Sequence, residues 1–308
     1  NITGTHTGVI AISVLNDTNE GTATAALNNN LAVTSVSIQP AGCGPRTISG
    51  NTTAGLPLMD FNGADNVTVD GLNTNGNSLT ITNTTVAATA GTCTIRFQTD
   101  ATGNTITNCT VLGSATMGSG TAGGNIWFGA GSALTGNDNN TISNCNIGPA
   151  GVNLPSKAIY FSGNAPFFND IISINNNNIY DFFSATVAST GIDLGTIGSS
   201  NVSITNNRFY QTATRTQTTA SIHSCIRIVN NAGLFTITGN TIGYSSSTGT
   251  GTYNFVGIAG SVFNPMTLSV GTATASSLQN NTIAGISHTT SSGGFTNLFN
   301  AILVSTGA

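Results

Sequence analysis

A chain of 308 residues with six basic and ten acidic side chains, a formal net charge of −4 and only 5% charged residues carries no nucleic-acid footprint. Its 38% hydrophobic content separates it from ordinary disordered chains, which combine high net charge with little apolar content. No apolar run approaches the ~20 residues of a membrane-spanning helix. Gly, Thr, Ser and Asn are abundant and helix formers are scarce, with Lys157 and Glu20 the sole residues of their kinds. Thr, Val and Ile favour pleated strands while Asn and Gly favour the turns between them, so the chain is read as all-β.

The first elements in chain order are apolar strands at residues 9–15 and 33–38. Residues 1–57 are read as the first coils and a cap region, and 58–308 as one continuous solenoid of repeats. From Met59 onward two phrases alternate. One has the form apolar-x-apolar: Met59-Asp-Phe61, Ile95-Arg-Phe97, Ile126-Trp-Phe128, Ile159-Tyr-Phe161, Ile192-Asp-Leu194 and Ile226-Arg-Ile228, continued by Val256-Gly-Ile258 and Ile302-Leu-Val304. The other is Ile106-Thr-Asn-Cys-Thr-Val111, Ile142-Ser-Asn-Cys-Asn-Ile147, Ile174-Asn-Asn-Asn-Asn-Ile179, Ile204-Thr-Asn-Asn-Arg-Phe209, Ile237-Thr-Gly-Asn-Thr-Ile242 and Leu278-Gln-Asn-Asn-Thr-Ile283, preceded by a weaker copy, Ile81-Thr-Asn-Thr-Thr-Val86. From Ile106 the starts are separated by 36, 32, 30, 33 and 41 residues. A period in the range of about 20–50 marks a solenoid, propeller or array. Two phrases locked in step define a fixed unit of short strand, Asn/Gly turn, short strand and variable loop. Such a unit covers its apolar side chains only by stacking on its neighbours. A sandwich with regular turns has no reason to keep both phrases in register, and a propeller needs four strands in each blade, where two and sometimes a third, as at residues 79–82, are visible.

In a parallel stack, equivalent residues of successive coils lie ~4.8 Å apart. The fourth position of the main phrase then forms a column of Cys109, Cys145, Asn177, Asn207, Asn240 and Asn281. Stacked amides bond to one another as in cross-β ladders, and Asn tolerates the left-handed backbone of a sharp corner. The column is therefore expected to be both a structural ladder and the corner itself.

These phrases, together with Phe61-Asn-Gly-Ala-Asp-Asn-Val-Thr-Val-Asp-Gly71, Gly136-Asn-Asp-Asn-Asn-Thr-Ile-Ser-Asn144 and Asn178-Ile-Tyr-Asp-Phe182, resemble right-handed parallel β-helices. More narrowly, they look like the Asn/Thr-rich β-helix regions of very large secreted surface proteins in bacteria that use type IX secretion. The resemblance spans about residues 45–285. It implies an all-β right-handed parallel β-helix (β-solenoid) of about eight coils, each of roughly 30–36 residues, in a secreted, extracellular, cell-surface setting. A chain that begins at Asn1 without Met fits that setting if a signal peptide or upstream region has been removed. The fold also hosts pectin lyases, glycosidases and phage tailspikes, so it does not by itself specify a function.

The middle residue of the apolar-x-apolar phrase points away from the core when its neighbours point in. That stripe reads Asp60, Arg96, Trp127, Tyr160, Asp193 and Arg227. It contains the only Trp and two of the six basic residues, and it sets Asp60 beside Arg96 and Asp193 beside Arg227. Trp127 over Tyr160 forms an aromatic platform on which a sugar ring or a protein partner can rest. The plainer account is cross-rung complementarity that fixes register in a uniform sheet.

Glycoside hydrolysis needs two carboxyl groups about 5–9.5 Å apart, whereas Asp60 and Asp193 lie four rungs apart. Asp65, Asp100, Asp138 and Asp170 fall in the turns between phrases and can line one edge, though turn aspartates usually bond nearby backbone. The Asp-Asp pair, Gly-His-Gly and Arg-x-Lys of β-helix pectin hydrolases are missing. No cofactor, metal or catalytic group is expected. His6, His223 and His288 lack a metal spacing and are read as surface or loop residues. Cys109 and Cys145 are expected to be neighbours at a distance a disulfide tolerates, Cys43 is a candidate to meet Cys93, and the alternative is a buried thiol acting as a small apolar residue. The terminal segments, including Asn297-Leu-Phe-Asn-Ala-Ile-Leu-Val304, are uncapped apolar strands. They suggest self-association or a longer chain. The expected function is a non-enzymatic extracellular structural or adhesive solenoid, with a glycan or cell-surface partner. The alternatives are a polysaccharide-active lyase or glycosidase and a passive glycan-binding module.

Overall fold

The computed structural model describes residues 6–29, 32–131, 135–195, 197–291 and 298–306; Asn1 and Asn297 lie outside them. Each coil runs through three short strands, and each strand pairs in parallel with its equivalent one coil later. The result is three long sheets of nine, nine and ten strands. Nine rungs make eight coil-to-coil steps, and no helix occurs among the described residues. The first sheet runs from Gly8–Val14 to Ser277–Gln279, the second from Thr18–Asn19 to Thr282–Ala284, and the third from Ala25–Asn28 to Leu298–Phe299 and Ile302–Thr306. Strands that precede residue 58 pair into these same sheets, as Ala25–Asn28 does with Pro57–Asn62.

The interior follows from the two-residue side-chain period of a strand. Ile106, Ile142, Ile174 and Ile204 line the first sheet, Val111, Ile147, Ile179 and Phe209 the second, and Ile95, Ile126, Ile159 and Ile192 the third, all fully buried. Within the third sheet Phe61, Phe97, Phe128 and Phe161 stack with centroids 4.7, 4.6 and 4.4 Å apart. Each such ring contributes about 1.5–3 kcal/mol of burial, and the nearly parallel planes hold successive rungs in one rotamer.

The amide column is continuous. Nδ2 of Asn177 donates to Oδ1 of Asn207 at 2.9 Å, Asn207 to Asn240 at 3.1 Å, and Asn240 to Asn281 at 2.9 Å. The same Nδ2 groups reach back to the Ile142, Ile174 and Ile204 carbonyls at 2.8–2.9 Å. Each Oδ1 also accepts the backbone N–H of the preceding rung, as Asn177 does from Cys145 at 2.9 Å. In the upper rungs a thiol takes the amide's place: Sγ of Cys145 points to the Ile106 carbonyl at 3.6 Å and Sγ of Cys109 to that of Val69 at 3.7 Å. Shorter ladders that the sequence reading did not find run at the other corner, through Asn104 and Asn140 and through Asn137 and Asn169.

Three expectations are corrected. The left-handed corner is not the ladder residue but the one before it, Asn108, Asn144, Asn176, Asn206, Gly239 and Asn280, with φ between 54° and 70°. The ladder side chain must point inward, and the corner residue turns the chain ahead of it. The weaker copy beginning at Ile81 is out of phase, because Ile81 pairs with Val111 in the second sheet while Val69 pairs with Ile106 in the first. Val256 belongs to a separate three-stranded sheet of Arg215–Thr216, Tyr253–Gly257 and Ile286–Thr290. At that rung the third sheet is continued instead by Met266, Thr267 and Leu268, an insertion that accounts for the 41-residue step.

Candidate functional site

The stripe exists as a register column: Asp60 pairs with Arg96, Arg96 with Trp127, Trp127 with Tyr160, Tyr160 with Asp193 and Asp193 with Arg227. It is not the open face that alternation implies. Asp60, Tyr160 and Asp193 are only 5%, 5% and 4% exposed: Arg96 and Gln98 cover Asp60, Arg227 covers Asp193, and residues 114–123 fold over the sheet at Tyr160. Ser156 Oγ donates to the Met117 carbonyl at 2.7 Å, Lys157 Nζ to that of Thr121 at 2.8 Å and the Tyr160 hydroxyl to that of Gly120 at 3.2 Å. Tyr160 is thereby removed from the aromatic platform, and its partner becomes the Lys157 ammonium, 3.8 Å from the ring centroid. Trp127 remains half-buried, donates from Nε1 to Ser162 Oγ at 2.7 Å and lies 5.6 Å from the Arg96 guanidinium carbon.

The charges on this face neutralise one another. Arg96 grips Asp60 through two bonds of 2.9 and 2.7 Å, and Arg227 holds Asp193 at 2.7 Å. Burial pushes the Lys157 ammonium down to about 8, against the upward pull of Asp193. A small pocket lies between Lys157, Thr190, Asp193 and Arg227.

The turn aspartates line one edge; Asp170 bonds its own turn, accepting from Ile171 N at 2.7 Å, while the other three cross-link rungs. Asp65 accepts from Thr102 N at 2.8 Å, Asp100 from Gly136 N at 2.9 Å and Asp138 from Asp170 N at 2.9 Å. Burial raises the carboxyls of Asp65 and Asp138, with neighbouring aspartates adding to it. Among the described residues no group of three His, Cys, Asp or Glu side chains is placed to hold a metal ion.

One further sequence reading is overturned, and the open question of a disulfide is decided. His223 is not at the surface but wholly buried in the strand Ile222–Asn230. Its Nδ1 meets Ser189 Oγ at 2.6 Å, its Nε2 meets the Tyr253 hydroxyl, and its ring stacks on Phe182 and Phe255. Burial drives its pKa down to about 3. A serine–histidine pair sealed in the core reaches no substrate, and its third member is a phenol rather than a carboxylate. His288 is half-buried in the strand Ile286–Thr290, while His6 is exposed. All five cysteines are free. Cys109 and Cys145 occupy adjacent rungs, but their Sγ atoms face the carbonyls of Thr107 and Ser143 at 3.1 Å. Parallel Cβ vectors aim both thiols at backbone acceptors instead of at each other. Cys43 is exposed and Cys93 buried, and the two do not bond.

A further outward surface, which sequence reasoning passed over, lies on the second sheet. The outward residues Asn146, Asn178 and Arg208 are in register, and Tyr180 and Tyr210 stack at 5.4 Å beside them. The signal was present in the same repeats, as the residues flanking Ile147, Ile179 and Phe209.

Fold and surfaces together define an all-β parallel β-solenoid with a closed, self-neutralised third face and an amide-lined groove on the second. No family model and no curated protein matches the chain. Among solved structures, the Streptococcus pneumoniae surface protein and adhesin PfbA is similar over 96% of this chain and 91% of its own, at 12% identity and a TM-score of 0.38. The Dettilon tailspike protein is similar over 92% of this chain and 62% of its own, at 10% identity and a TM-score of 0.30. This chain thus spans less than two thirds of the tailspike's length.

Proposed function

We propose that this protein is a non-enzymatic, extracellular β-solenoid that serves as a structural or adhesive rod, of the kind found as β-helix regions in large type IX-secreted surface proteins. The observation that carries the reading is the state of its carboxylates. Every aspartate already accepts a bond from an arginine, a backbone N–H or a side chain of its own chain. A glycosidase keeps two carboxyl groups facing its substrate, a role that argues against carboxylates committed to bonds within their own chain. Purified protein is expected to release no detectable product from pectin, alginate or chitin over a long incubation. Turnover that disappears in Asp100→Ala or Asp138→Ala would establish the polysaccharide-active alternative.

Association with further rungs, in the same chain or in another copy, belongs to this reading. The first rung leaves Ile10 and Ile12 only partly buried where their partners Val36 and Ile38 are buried, and the last exposes Phe299, Ile302 and Val304 where their partners Phe263, Met266 and Leu268 are buried. Negative-stain micrographs are expected to show end-to-end rods longer than one solenoid. A field of isolated short rods at high concentration would exclude self-assembly.

A further inference from the structure

We infer that the groove on the second sheet is a binding site for an acidic glycan, a sugar segment that carries a carboxylate or sulfate. This assigns a ligand class to the adhesive reading above and rests on it.

The groove is built by three consecutive rungs. Ile147, Ile179 and Phe209 are buried in the core, so their neighbours Asn146, Asn178 and Arg208 must face out. The corner asparagines Asn144, Asn176 and Asn206, at φ 54°, 55° and 56°, add a second rank of amides alongside. Ser247, from the segment after Thr241–Gly243, makes the far wall. The groove is open to solvent and offers about 310 Å³, at the low end of the ~300–1,000 Å³ of small-molecule sites, which suits a short sugar segment lying along the rod.

The amides are pre-ordered. Asn176 donates to Asn144 Oδ1 at 2.6 Å and Asn178 to Asn146 Oδ1 at 2.8 Å. These bonds fix the amide planes and leave Asn146 Nδ2 and Asn178 Oδ1 without a hydrogen bond among the described residues, one donor and one acceptor for sugar hydroxyls. Tyr180 and Tyr210 hold the flank rigid. Their rings stack on each other, and Tyr180 also covers Gly148, where an added Cβ would lie 2.4 Å from the ring. Their faces are thus occupied, and the flank acts as a wall rather than a stacking platform.

The charge decides the ligand class. Arg96, Arg215 and Arg227 are each paired with an aspartate, and Arg46 donates to the Pro45 carbonyl. Arg208 is exposed, and its guanidinium has no hydrogen bond or ion pair among the described residues. No carboxylate lines the groove. An unpaired guanidinium amid neutral amides presents a planar fork that matches a carboxylate or sulfate, while the amides take up hydroxyls that a bare anion lacks.

The test is titration calorimetry of the intact protein with three probes: an alginate oligomer (uronate), a chondroitin sulfate oligomer (sulfate and uronate) and cellohexaose (neutral). The expected result is binding of at least one acidic probe about tenfold tighter than cellohexaose, the scale of one charge-assisted pair. That preference should be lost in Arg208→Gln and kept in Arg46→Gln, which removes the same charge outside the groove. Alginate binding assigns the uronate carboxylate as the recognised group, and binding of chondroitin sulfate alone assigns the sulfate. Arg208→Gln should melt with the wild type, since Arg208 holds nothing in place. Equal weakening by both substitutions, or no preference for an acidic probe, overturns the proposal. Neither result touches the rod reading, which the digestion assay and the micrographs test separately.

Discussion

Asn207→Asp will melt far below wild type at neutral pH, and Asn207→Ala will fall between the two. Asn207 is fully buried and joins three rungs. Its Nδ2 donates to the Ile174 carbonyl at 2.8 Å and to Asn240 Oδ1 at 3.1 Å, and its Oδ1 accepts from Asn177 N at 3.0 Å and Asn177 Nδ2 at 2.9 Å. Truncation to alanine strips partners from several buried groups at about 1–3 kcal/mol each, so a loss of about 3–6 kcal/mol is expected. In a solenoid that loss weakens the coupling between the two halves of the rod, since each rung contacts only its neighbours. Aspartate is worse because the atom replacing Nδ2 faces two acceptors. An ionised carboxylate there is a buried charge with no cation, costing several kcal/mol more. The folded state will therefore hold the proton, and the carboxyl pKa will lie above the unfolded value of ~3.9. Stability relative to wild type is then greatest below about pH 4 and falls as pH rises through the folded pKa. Taking the difference from wild type removes the opposing trend from His223, whose neutral form loses stability as pH falls from ~6.5 towards its folded value. Thermal melts of the three proteins at pH 4, 5 and 7 decide the matter. An Asn207→Ala melting point within about two degrees of wild type, a shift worth under ~1 kcal/mol, would mean that the ladder is incidental to the rod's cohesion.

The second large effect is alkaline unfolding. Cys93, Cys109, Cys145 and Cys225 are buried, and burial pushes all four thiols up, Cys145 to about 12. An unfolded thiol titrates near ~8.5. The folded state keeps protons that the unfolded state releases, so stability is complete below ~8.5 and is lost as pH rises towards the folded values. Each thiol contributes about 1.4 kcal/mol per pH unit. Lys157 works the other way: with a folded pKa of about 8 against an ordinary 10.5, it adds stability between those values and cancels about one thiol. Three remain, a slope of about 4 kcal/mol per unit, which exhausts a typical reserve of about 5–15 kcal/mol within a few pH units above ~8.5. Above ~10 the phenols of buried Tyr253 and half-buried Tyr210, both raised first by desolvation, steepen the loss. Under reducing conditions the β-sheet circular dichroism is expected to collapse between about pH 10 and 12. Cys145→Ala with Cys225→Ala should flatten the dependence of melting temperature on pH, whatever those changes do to the absolute melting point. An unchanged slope would show that the thiols do not control the transition.

Much of this architecture was legible in the repeats. Positions such as Ile142 and Ile147 repeat because each rung rests on the one below, so their recurrence yields strands, register and the interior at once. The ladder at Asn177, Asn207, Asn240 and Asn281 was legible for the same reason. What the repeats concealed lay in the variable segments. Nothing periodic marks residues 114–123 as a cover for Tyr160, or residues 211–221 and 244–252 as the approach to an extra sheet that encloses His223. That Cys109 and Cys145 would be neighbours was legible one rung apart, but that each thiol bonds a backbone carbonyl instead of the other was not.

An all-β stack with a fixed side-chain register follows from the repeats alone, because a two-residue strand period and a coil-length repeat leave little freedom in where an apolar residue goes. The repeats also fix which residues share a column, including Asp60 with Arg96 and Asp193 with Arg227. Which outward columns meet solvent is set by the folded chain. Alternation separates core-facing from outward-facing side chains, but whether an outward face stays open depends on the path of inserted loops, and those carry no period. That is why Trp127 and Tyr160 lie on a face largely closed by its own chain, while Asn146, Asn178 and Arg208 line the groove that remains.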